Sequence, residues 1–225
     1  MKATLNDWIN IRMMWVWIVF SLSHATTAQD SYTAPTTLDS SMTQSRIHEG
    51  FYLMIGLGPE FGNIKAYDNL GNRLEFEGTA YALDFQIGGV IAKNLILHAT
   101  VHMKSIFGPA INNQKYNDDY SIDEFMMGAG VTYYVKNNYF LTGSIGSGNF
   151  SFVDENLNYT LDTDEGFSFQ LKAGREWWIS TRWALGFALE YGGTSIRDHY
   201  ANGTQENWNS YRYGFRITGT LNGRR

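Results

Sequence analysis

The sequence contains no cysteine and only three prolines among its 225 residues. Without cysteine, neither a disulfide framework nor a thiol-based zinc site or nucleophile is available. Proline lacks the N–H donor of a strand ladder, so its scarcity suits a strand-rich chain, and Pro35, Pro59 and Pro109 all fall outside the strand interiors predicted below. The net charge of −5 and the pI near 5.5 argue against nucleic acid as a partner.

A short apolar run stands near the N-terminus, at residues 13–22 (MMWVWIVFSL). It follows a polar segment that Lys2 and Arg12 bracket, and Thr26 and Ala28 then offer the small residues of a cleavage site. A helical span needs about 20 apolar residues, more than this run or any later segment supplies. We therefore predict a signal peptide over 1–28, a flexible periplasmic leader over 29–48 and one domain over 49–222, and any membrane insertion must be by strands.

Glycine and aromatic residues are abundant instead, with 23 glycines and an aromatic share of 16%. From residue 50 onward apolar residues alternate with small or polar ones, which is the period of a strand with two unlike faces. The alternation predicts eight strands, at residues 51–58, 79–91, 95–104, 124–135, 139–150, 167–178, 183–192 and 211–221.

The predicted connections alternate strictly between short and long. Three are short (92–94, 136–138 and 179–182) and four are long (59–78, 105–122, 151–166 and 193–210). All long loops therefore lie at one end of the sheet, as in transmembrane barrels with short periplasmic turns and long extracellular loops. The fold class predicted is an all-β, eight-stranded antiparallel up-and-down transmembrane β-barrel. A soluble barrel such as a lipocalin shares the strand order, but it turns its apolar face inward.

The polar face of the predicted strands is rich in glycine and carries charges of both signs. Eight strands leave an interior just wide enough for side chains, which small residues and paired charges would fill. The charges predicted to meet in the lumen are Asp84, Glu176 and Glu190 against Lys104, Lys172, Arg212 and Arg216. They form either a salt-bridged plug that blocks conduction or the lining of a narrow polar path, and we favour the plug.

Aromatic residues gather at both ends of the predicted strands, as rings at two lipid–water boundaries would. The girdle residues predicted are Tyr133, Tyr139, Trp177 and Trp183 at the short-turn end and Tyr81, Tyr191 and Tyr213 at the long-loop end. Tyr134, Phe140 and Trp178 are placed with the short-turn group.

Three segments resemble the small outer-membrane β-barrel family, which includes the transmembrane domain of outer membrane protein A. They are GFYLMIGLGPEFG (50–62), GREWWISTRWALGFALEY (174–191) and the KNN turn (136–138). The resemblance covers about residues 50–221 and implies a fold and an outer-membrane location more than an activity. We accordingly expect contact with outer-membrane lipid and lipopolysaccharide, assembly by barrel-insertion machinery and a monomeric state.

Few residues point to chemistry. His98 and His102 would lie about 13 Å apart on a strand, too far for one metal ion, so hydrogen bonding in the lumen is the favoured interpretation. Ser195, Asp198 and His199 lie together in the last long loop and would be the residues of a lipid A-modifying enzyme.

The third long loop is acidic, with Asp154, Glu155, Asp162, Asp164 and Glu165, and could hold Ca²⁺ or Mg²⁺, although a solvated loop is favoured. We predict no catalytic residue, metal or cofactor. The leading hypothesis is a non-enzymatic surface or envelope protein that recognises partners through its long loops. A narrow channel for small or hydrophobic solutes comes second, and a lipid A-modifying enzyme third.

Overall fold

A computed structural model describes residues 48–115, 120–154, 159–199 and 205–223. The predicted signal peptide and almost all of the predicted leader lie outside the described residues. Twelve strands, numbered in chain order, make up the described chain. Eight long ones form the wall of a barrel: β1 (Phe51–Asp68), β3 (Ala80–Ala92), β4 (Leu95–Phe107), β7 (Tyr120–Tyr134), β8 (Tyr139–Asp154), β10 (Gly166–Trp178), β11 (Trp183–His199) and β12 (Gln205–Asn222). Four short ones extend it: β2 (Arg73–Glu77), β5 (Ala110–Ile111), β6 (Gln114–Lys115) and β9 (Tyr159–Asp162).

The barrel is closed. Each long strand pairs antiparallel with the one before it, and β12 returns to pair with β1 from Tyr52↔Asn222 to Asp68↔Glu206. Closure leaves the eight-stranded wall without a free edge, which is the condition for a sheet to cross a membrane. The predicted eight-stranded, up-and-down, antiparallel barrel is confirmed. No helix among the described residues is long and apolar enough to cross a membrane.

The three predicted short connections are also found where they were expected. One joins β3 to β4 at Lys93 and Asn94, the second contains a short 3-10 turn (Lys136–Asn138), and the third covers residues 179–182. Asn94, Asn137 and Asn138 have φ angles of 61°, 64° and 58°. Asparagine tolerates this left-handed region better than most residues, so the Lys-Asn and Lys-Asn-Asn sequences suit the tight turns.

The long connections, in contrast, were wrongly predicted as loops. Most of their described residues continue the barrel wall: β1 runs ten residues past Gly58, and β11 and β12 stay paired out to His199↔Gln205. The continuation has a physical cause, because apolar residues such as Ile64, Ile106 and Ile196 still alternate with polar ones there and are buried inside the barrel. These segments have polar outer faces, so the sequence looked like loop although its period of two persisted.

Pro59 lies inside β1, which corrects the prediction that all three prolines fall outside strand interiors. The pairing of β1 with β3 continues through Pro59↔Tyr81, whereas the pairing with β12 skips Gly58 and Pro59. Proline has no N–H to give to that ladder. At Gly58 an added Cβ would sit 2.0 Å from the carbonyl oxygen of Phe215, so the two strands approach too closely there for any side chain.

Between the outward aromatic residues of its two ends, the outer face of the barrel is largely apolar, whereas much of the inner face is polar. Exposed residues on the wall include Leu57, Leu141, Ile145 and Ile217, whereas the alternate positions are buried. In water such a continuous apolar band would be an association surface, and only lipid hides it on a monomeric wall. The chain is therefore a transmembrane β-barrel.

Candidate functional site in the barrel interior

The interior at the long-loop end is filled by apolar side chains. We call this group the apolar cap; it consists of Ile64, Ala66, Phe76, Ala80, Ile106, Ile122, Phe150, Ile196 and Trp208, all buried. The indole of Trp208 lies 5.9 Å from the ring centroids of both Phe76 and Phe150. Phe76 comes from β2, which folds back against β1, so a hairpin outside the predicted strands supplies part of the closure.

Below the apolar cap lies a layer of buried charges. We call it the charged layer; it consists of Glu60, Asp84, Glu124 and Glu190 with Lys104, Lys172, Arg212 and Arg216. Seven of the eight wall strands contribute to it, and its four carboxylates balance its four cations. Neutrality matters, because an unpaired charge in a water-poor interior costs several kcal/mol, of order 3–5 when one partner of a buried pair is removed.

Arg216 is the centre of the charged layer and is 0% exposed. Its Nε donates to Asp84 Oδ2 over 2.8 Å, and one terminal nitrogen contacts Glu60 Oε2 and also lies 3.1 Å from Glu190 Oε1. Its other terminal nitrogen donates to the carbonyl oxygen of Pro59 over 3.4 Å. One guanidinium therefore ties together β1, β3, β11 and β12, with the donor geometry that suits arginine to several carboxylates.

Arg212 and Glu124 form a second pair higher in the same layer. Nη1 of Arg212 donates to Glu124 Oε1, which also accepts hydrogen bonds from Thr194 Oγ1 at 2.6 Å and Ser210 Oγ at 2.8 Å. The Nζ of Lys104 lies 3.4 Å from the other Glu124 oxygen and 3.6 Å from Glu60. The carboxylate of Glu124 thus has partners on both oxygens, as a buried charge requires.

Asp84 links the charged layer to the neutral polar groups beside it. Its Oδ1 accepts a hydrogen bond from Gln170 Nε2 at 2.7 Å and lies 2.9 Å from His102 Nδ1. Lys172 approaches Oδ2 at 3.6 Å without forming a hydrogen bond. Asp84 therefore sits among two cations, an amide and an imidazole, which is why the layer tolerates a fully buried carboxylate.

Three of these groups have the composition of a metal site. Ligand atoms of Glu60, His102 and Glu190 all lie within 4.8 Å of one another. However, Nη2 of Arg216 contacts both carboxylates, so the guanidinium already supplies the positive charge at that place. A divalent cation would add positive charge next to Arg216 and Lys104, which repel it. The three groups are therefore better explained as part of the ion-pair network than as a metal site.

Glu176, which was predicted to meet the other lumen charges, lies apart from the charged layer. It is four residues from Lys172 along β10, about 13 Å at the rise of a strand. Its Oε1 accepts hydrogen bonds from Thr220 Oγ1 at 2.6 Å and from Tyr134 OH at 3.0 Å. The grouping was wrong because period-two reasoning identifies the face of a strand and not the height in the barrel.

Around Glu176, aromatic side chains fill the interior at the short-turn end. The imidazole of His48 stacks on Tyr134 with 3.5 Å between ring centroids, and its Nε2 lies 3.7 Å from Glu176 Oε2. Phe140 and Trp178 pack beside them. We call His48, Tyr134, Phe140, Glu176 and Trp178 the mouth cluster. His48 lies in the predicted leader, so the described part of that leader enters the barrel mouth.

Two members of the charged layer, Glu60 and Glu124, were missed in the sequence. Glu60 follows Pro59 in what was predicted to be a loop. Glu124 was the first residue of a predicted strand, and its position on the same face as Gly128, Gly130 and Thr132 was the signal that could have identified it. His102 was assigned to hydrogen bonding in the lumen, and it contacts Asp84 there.

The seven predicted girdle residues all point outward. Tyr133, Tyr139, Trp177 and Trp183 are exposed near the short turns, and Tyr81, Tyr191 and Tyr213 are exposed on the long-loop side. Tyr134, Phe140 and Trp178 were placed with the first group, but each is buried in the mouth cluster. The correction follows from the period of a strand, because the second residue of Tyr133–Tyr134, Tyr139–Phe140 or Trp177–Trp178 must face the other way.

The other residues considered for chemistry are held in separate contacts. His98 lies 2.9 Å from Thr100 Oγ1 and 3.1 Å from Thr132 Oγ1. Its ring lies against Gly130, where an added Cβ would meet His98 Cε1 at 2.7 Å. The glycine therefore makes room for the imidazole.

Ser195, Asp198 and His199 were predicted to lie in a loop, and that was wrong, because all three belong to β11. The Oγ of Ser195 donates to Asn209 at 2.8 Å, Asp198 accepts from the N–H of Asp164, and His199 lies 3.6 Å from Asp164. Asp198 is buried, whereas Ser195 and His199 are exposed on the opposite face. The three side chains therefore do not form a triad in this conformation.

The predicted acidic loop is partly strand, since Asp154 ends β8 and Asp162 ends β9. Glu165 accepts a hydrogen bond from Ser147 at 2.8 Å, and Glu155 lies outside the described residues.

No protein-family model matches the chain. No curated protein matches it either. Among solved structures, it is similar to Neisserial surface protein A, with 12% identity, a TM-score of 0.46, and coverage of 77% of this chain and 99% of that one. It is also similar to the outer membrane protein OprG from Pseudomonas aeruginosa, with 12% identity, a TM-score of 0.46, and coverage of 78% and 98%. Likeness at this distance transfers neither an activity nor a residue role.

Proposed function

We propose that this chain is a non-enzymatic bacterial outer-membrane β-barrel that acts at the cell surface or stabilises the envelope, with a closed interior. The carrying observation is the filling of the interior: the apolar cap, the charged layer and the mouth cluster follow one another along the barrel axis. Each contains fully buried large side chains, such as Ile106, Arg216 and Tyr134. Eight strands leave no aqueous channel once side chains occupy the lumen.

The closed interior favours a surface role over a solute channel. A permeant ion or solute would have to displace both an apolar group and a set of paired charges, at the cost of apolar burial in the first case and of ion pairs in the second. The separate contacts of Ser195, which donates to Asn209, and of His199, which lies 3.6 Å from Asp164, likewise support a role without lipid A chemistry. Recognition is then left to the parts of the chain that project beyond the outward ring of Tyr81, Tyr191 and Tyr213.

Planar-bilayer recording of the refolded protein tests this proposal. We expect no discrete openings above the leak of the bare bilayer. Reproducible single-channel steps would show that the lumen conducts and would overturn the closed interior.

Boiled and unboiled samples should also migrate differently in detergent gels, and a protein that stays soluble without detergent contradicts the membrane assignment. Lipid A from cells that express the protein should be unaltered, and an alteration lost in Ser195→Ala or His199→Ala would contradict the non-enzymatic role.

A further inference from the structure

Arg175 is an exception on the apolar wall. Along the eight wall strands, between the outward aromatic residues of the two ends, it is the one charged outward side chain among the described residues. Its neighbours on the same face of β10 are Leu171, Ala173 and Trp177. A basic side chain on the lipid face costs about 2–4 kcal/mol at the midplane and little near the interface, so its position needs an explanation.

Aromatic rings hold the guanidinium of Arg175 in place. Its central carbon lies 5.0 Å from the ring centroid of Tyr139 and 5.3 Å from that of Trp177. Tyr139 is its direct cross-strand neighbour on β8. Contacts of this kind orient an arginine side chain on a surface and reduce the freedom it loses when it binds a ligand.

Arg175 has no anionic partner in the described part of the chain. No carboxylate there lies within 4.0 Å of it, and its Nε is covered without a hydrogen-bond partner. Glu176, the next residue, points into the barrel and belongs to the mouth cluster. The cation is therefore fixed at the lipid interface with its charge uncompensated by protein.

Further cations surround this position. The turn Lys136–Asn138 lies beside β10, and its Lys136 is exposed. Arg182 is exposed in the turn that joins β10 to β11. Together with Arg175 they form a basic patch on two adjacent hairpins at the short-turn end, and short turns face the periplasm in such barrels. A basic patch at a bilayer surface attracts anionic lipid by about 1 kcal/mol per side chain.

We propose that Arg175, Tyr139 and Trp177 form a binding site for the phosphate of an anionic glycerophospholipid in the periplasmic leaflet. The guanidinium donates to the phosphate, the two rings lie at the level of the glycerol backbone, and Lys136 and Arg182 add attraction. Arginine suits this ligand because its planar fork matches two phosphate oxygens. The inference rests on the proposed membrane location, because the site opens onto the lipid-facing wall.

Native mass spectrometry tests the site, with the refolded barrel in micelles doped with equal amounts of phosphatidylglycerol and phosphatidylcholine of the same acyl chains. We expect phosphatidylglycerol adducts to dominate and Arg175→Gln to lower their ratio to phosphatidylcholine by more than about fivefold, because the loss of the phosphate hydrogen bonds adds to the factor for one basic side chain at an anionic surface. Lys93→Gln is the matched control: it removes an exposed cation from another short turn and should lower the ratio by no more than the general factor of about fivefold. Arg175→Lys keeps the charge without the fork and should give an intermediate ratio.

Equal adducts of the two lipids on the unaltered protein would overturn the inference, as would an Arg175→Gln ratio equal to that of Lys93→Gln. Preferential retention of lipopolysaccharide over phosphatidylglycerol would also overturn it, because that lipid occupies the other leaflet. The mobility shift between boiled and unboiled samples is recorded for every variant. If the shift is normal and the lipid preference is absent, the lipid site fails alone; if the unaltered protein never folds into micelles, the membrane assignment fails first.

Discussion

The contacts in the charged layer predict that Arg216 and Lys172, two buried cations of the same charge, contribute unequally to the free energy of unfolding. Arg216 contacts three carboxylates, those of Glu60, Asp84 and Glu190, and its Nε–Asp84 hydrogen bond is 2.8 Å long. Arg216→Met would remove the nearest cation from all three carboxylates and leave Glu60 and Asp84 with no lysine or arginine nitrogen closer than 3.6 Å. Breaking a buried ion pair in this way lowers the free energy of unfolding by about 3–5 kcal/mol. We expect the loss to fall in that range.

Lys172→Met is the matched control, since it also removes one buried positive charge. The Nζ of Lys172 lies 3.6 Å from Asp84 and forms no hydrogen bond. Asp84 would keep its bonds from Arg216 and Gln170 and no hydrogen bond would be lost, so the loss should be smaller than that of Arg216→Met by about 1.5 kcal/mol or more, the value of a hydrogen bond to a charged group. The structure therefore predicts a clear order between two substitutions that composition alone would treat as equal.

The assay is reversible urea unfolding of the barrel in lipid vesicles, followed by tryptophan fluorescence and analysed by linear extrapolation. Adding Asp84→Asn to Arg216→Met removes one uncompensated carboxylate, so the double variant should lose less than the sum of the single variants by about 1 kcal/mol or more. A central role of Arg216 is refuted if Arg216→Met costs less than Lys172→Met, or less than about 1 kcal/mol, which is the value of an exposed ion pair.

Three further predictions concern other parts of the barrel. Tyr134→Phe removes the hydroxyl that donates to buried Glu176 and should lower the free energy of unfolding by about 1.5–3 kcal/mol in the same urea assay, whereas an unchanged value would show that Glu176 is solvated. Ile145→Arg places a charge in the middle of the lipid face and should cost about 2–4 kcal/mol in vesicles; a cost near zero contradicts lipid contact there. Asp68 at the tip of the β1–β2 hairpin accepts hydrogen bonds from Asn72 and from the N–H of Leu70, and the Asn72 side chain is the main cause of its lowered pKa. Because the pKa of Asp68 is lowered in the folded protein, its carboxylate stabilises the tip at neutral pH, and this stabilisation is lost as pH falls below the ordinary value of 3.8. Hydrogen exchange of the Leu70 amide should therefore rise at low pH by more than the intrinsic pH effect. In Asp68→Ala the exchange should be high at every pH.

The eight strands and three short turns could be predicted because both depend on local signals. A strand that faces lipid on one side and side chains on the other must alternate, and the Lys-Asn turns need residues that accept a positive φ. Neither signal depends on partners far away in the chain.

The composition of the charged layer could be predicted only in part, because height in a barrel depends on the stagger between strands. Glu176 and Lys172 share a face of β10, and the face is all that the period reveals. Which of them meets Asp84 depends on how β10 is offset from β3 across the lumen, a property that emerges from every ladder in the closed sheet. Glu60 was missed for another reason: Pro59 looked like the end of a strand, but the ladder with β3 continues past it.

The long connections show how a period can hide under polar composition. Lys65, Arg73 and Glu75 face outward into water, so the segment looks like loop by composition, while Ile64 and Phe76 face inward and complete the apolar cap. Between the outward aromatic residues of the two ends, lipid covers the outer face of the sheet and side chains cover the inner face. Beyond the aromatic residues of the long-loop end, only the inner face is still buried. A strand of this barrel therefore ends where its inner face runs out of partners.

The paired strands beyond the aromatic residues carry outward polar side chains that a partner could contact. Polar side chains on it are held by ladders and by each other: Glu75 accepts a hydrogen bond from Asn63 at 2.8 Å and lies 3.2 Å from the Nζ of Lys65. Mobile loops lose conformational freedom when they bind a partner, whereas groups fixed on paired strands have already lost it. The membrane-facing band is almost uniformly apolar and the interior is closed. Under the proposed surface role, an extracellular partner would therefore bind the polar wall around Glu75 or the loops that this wall carries.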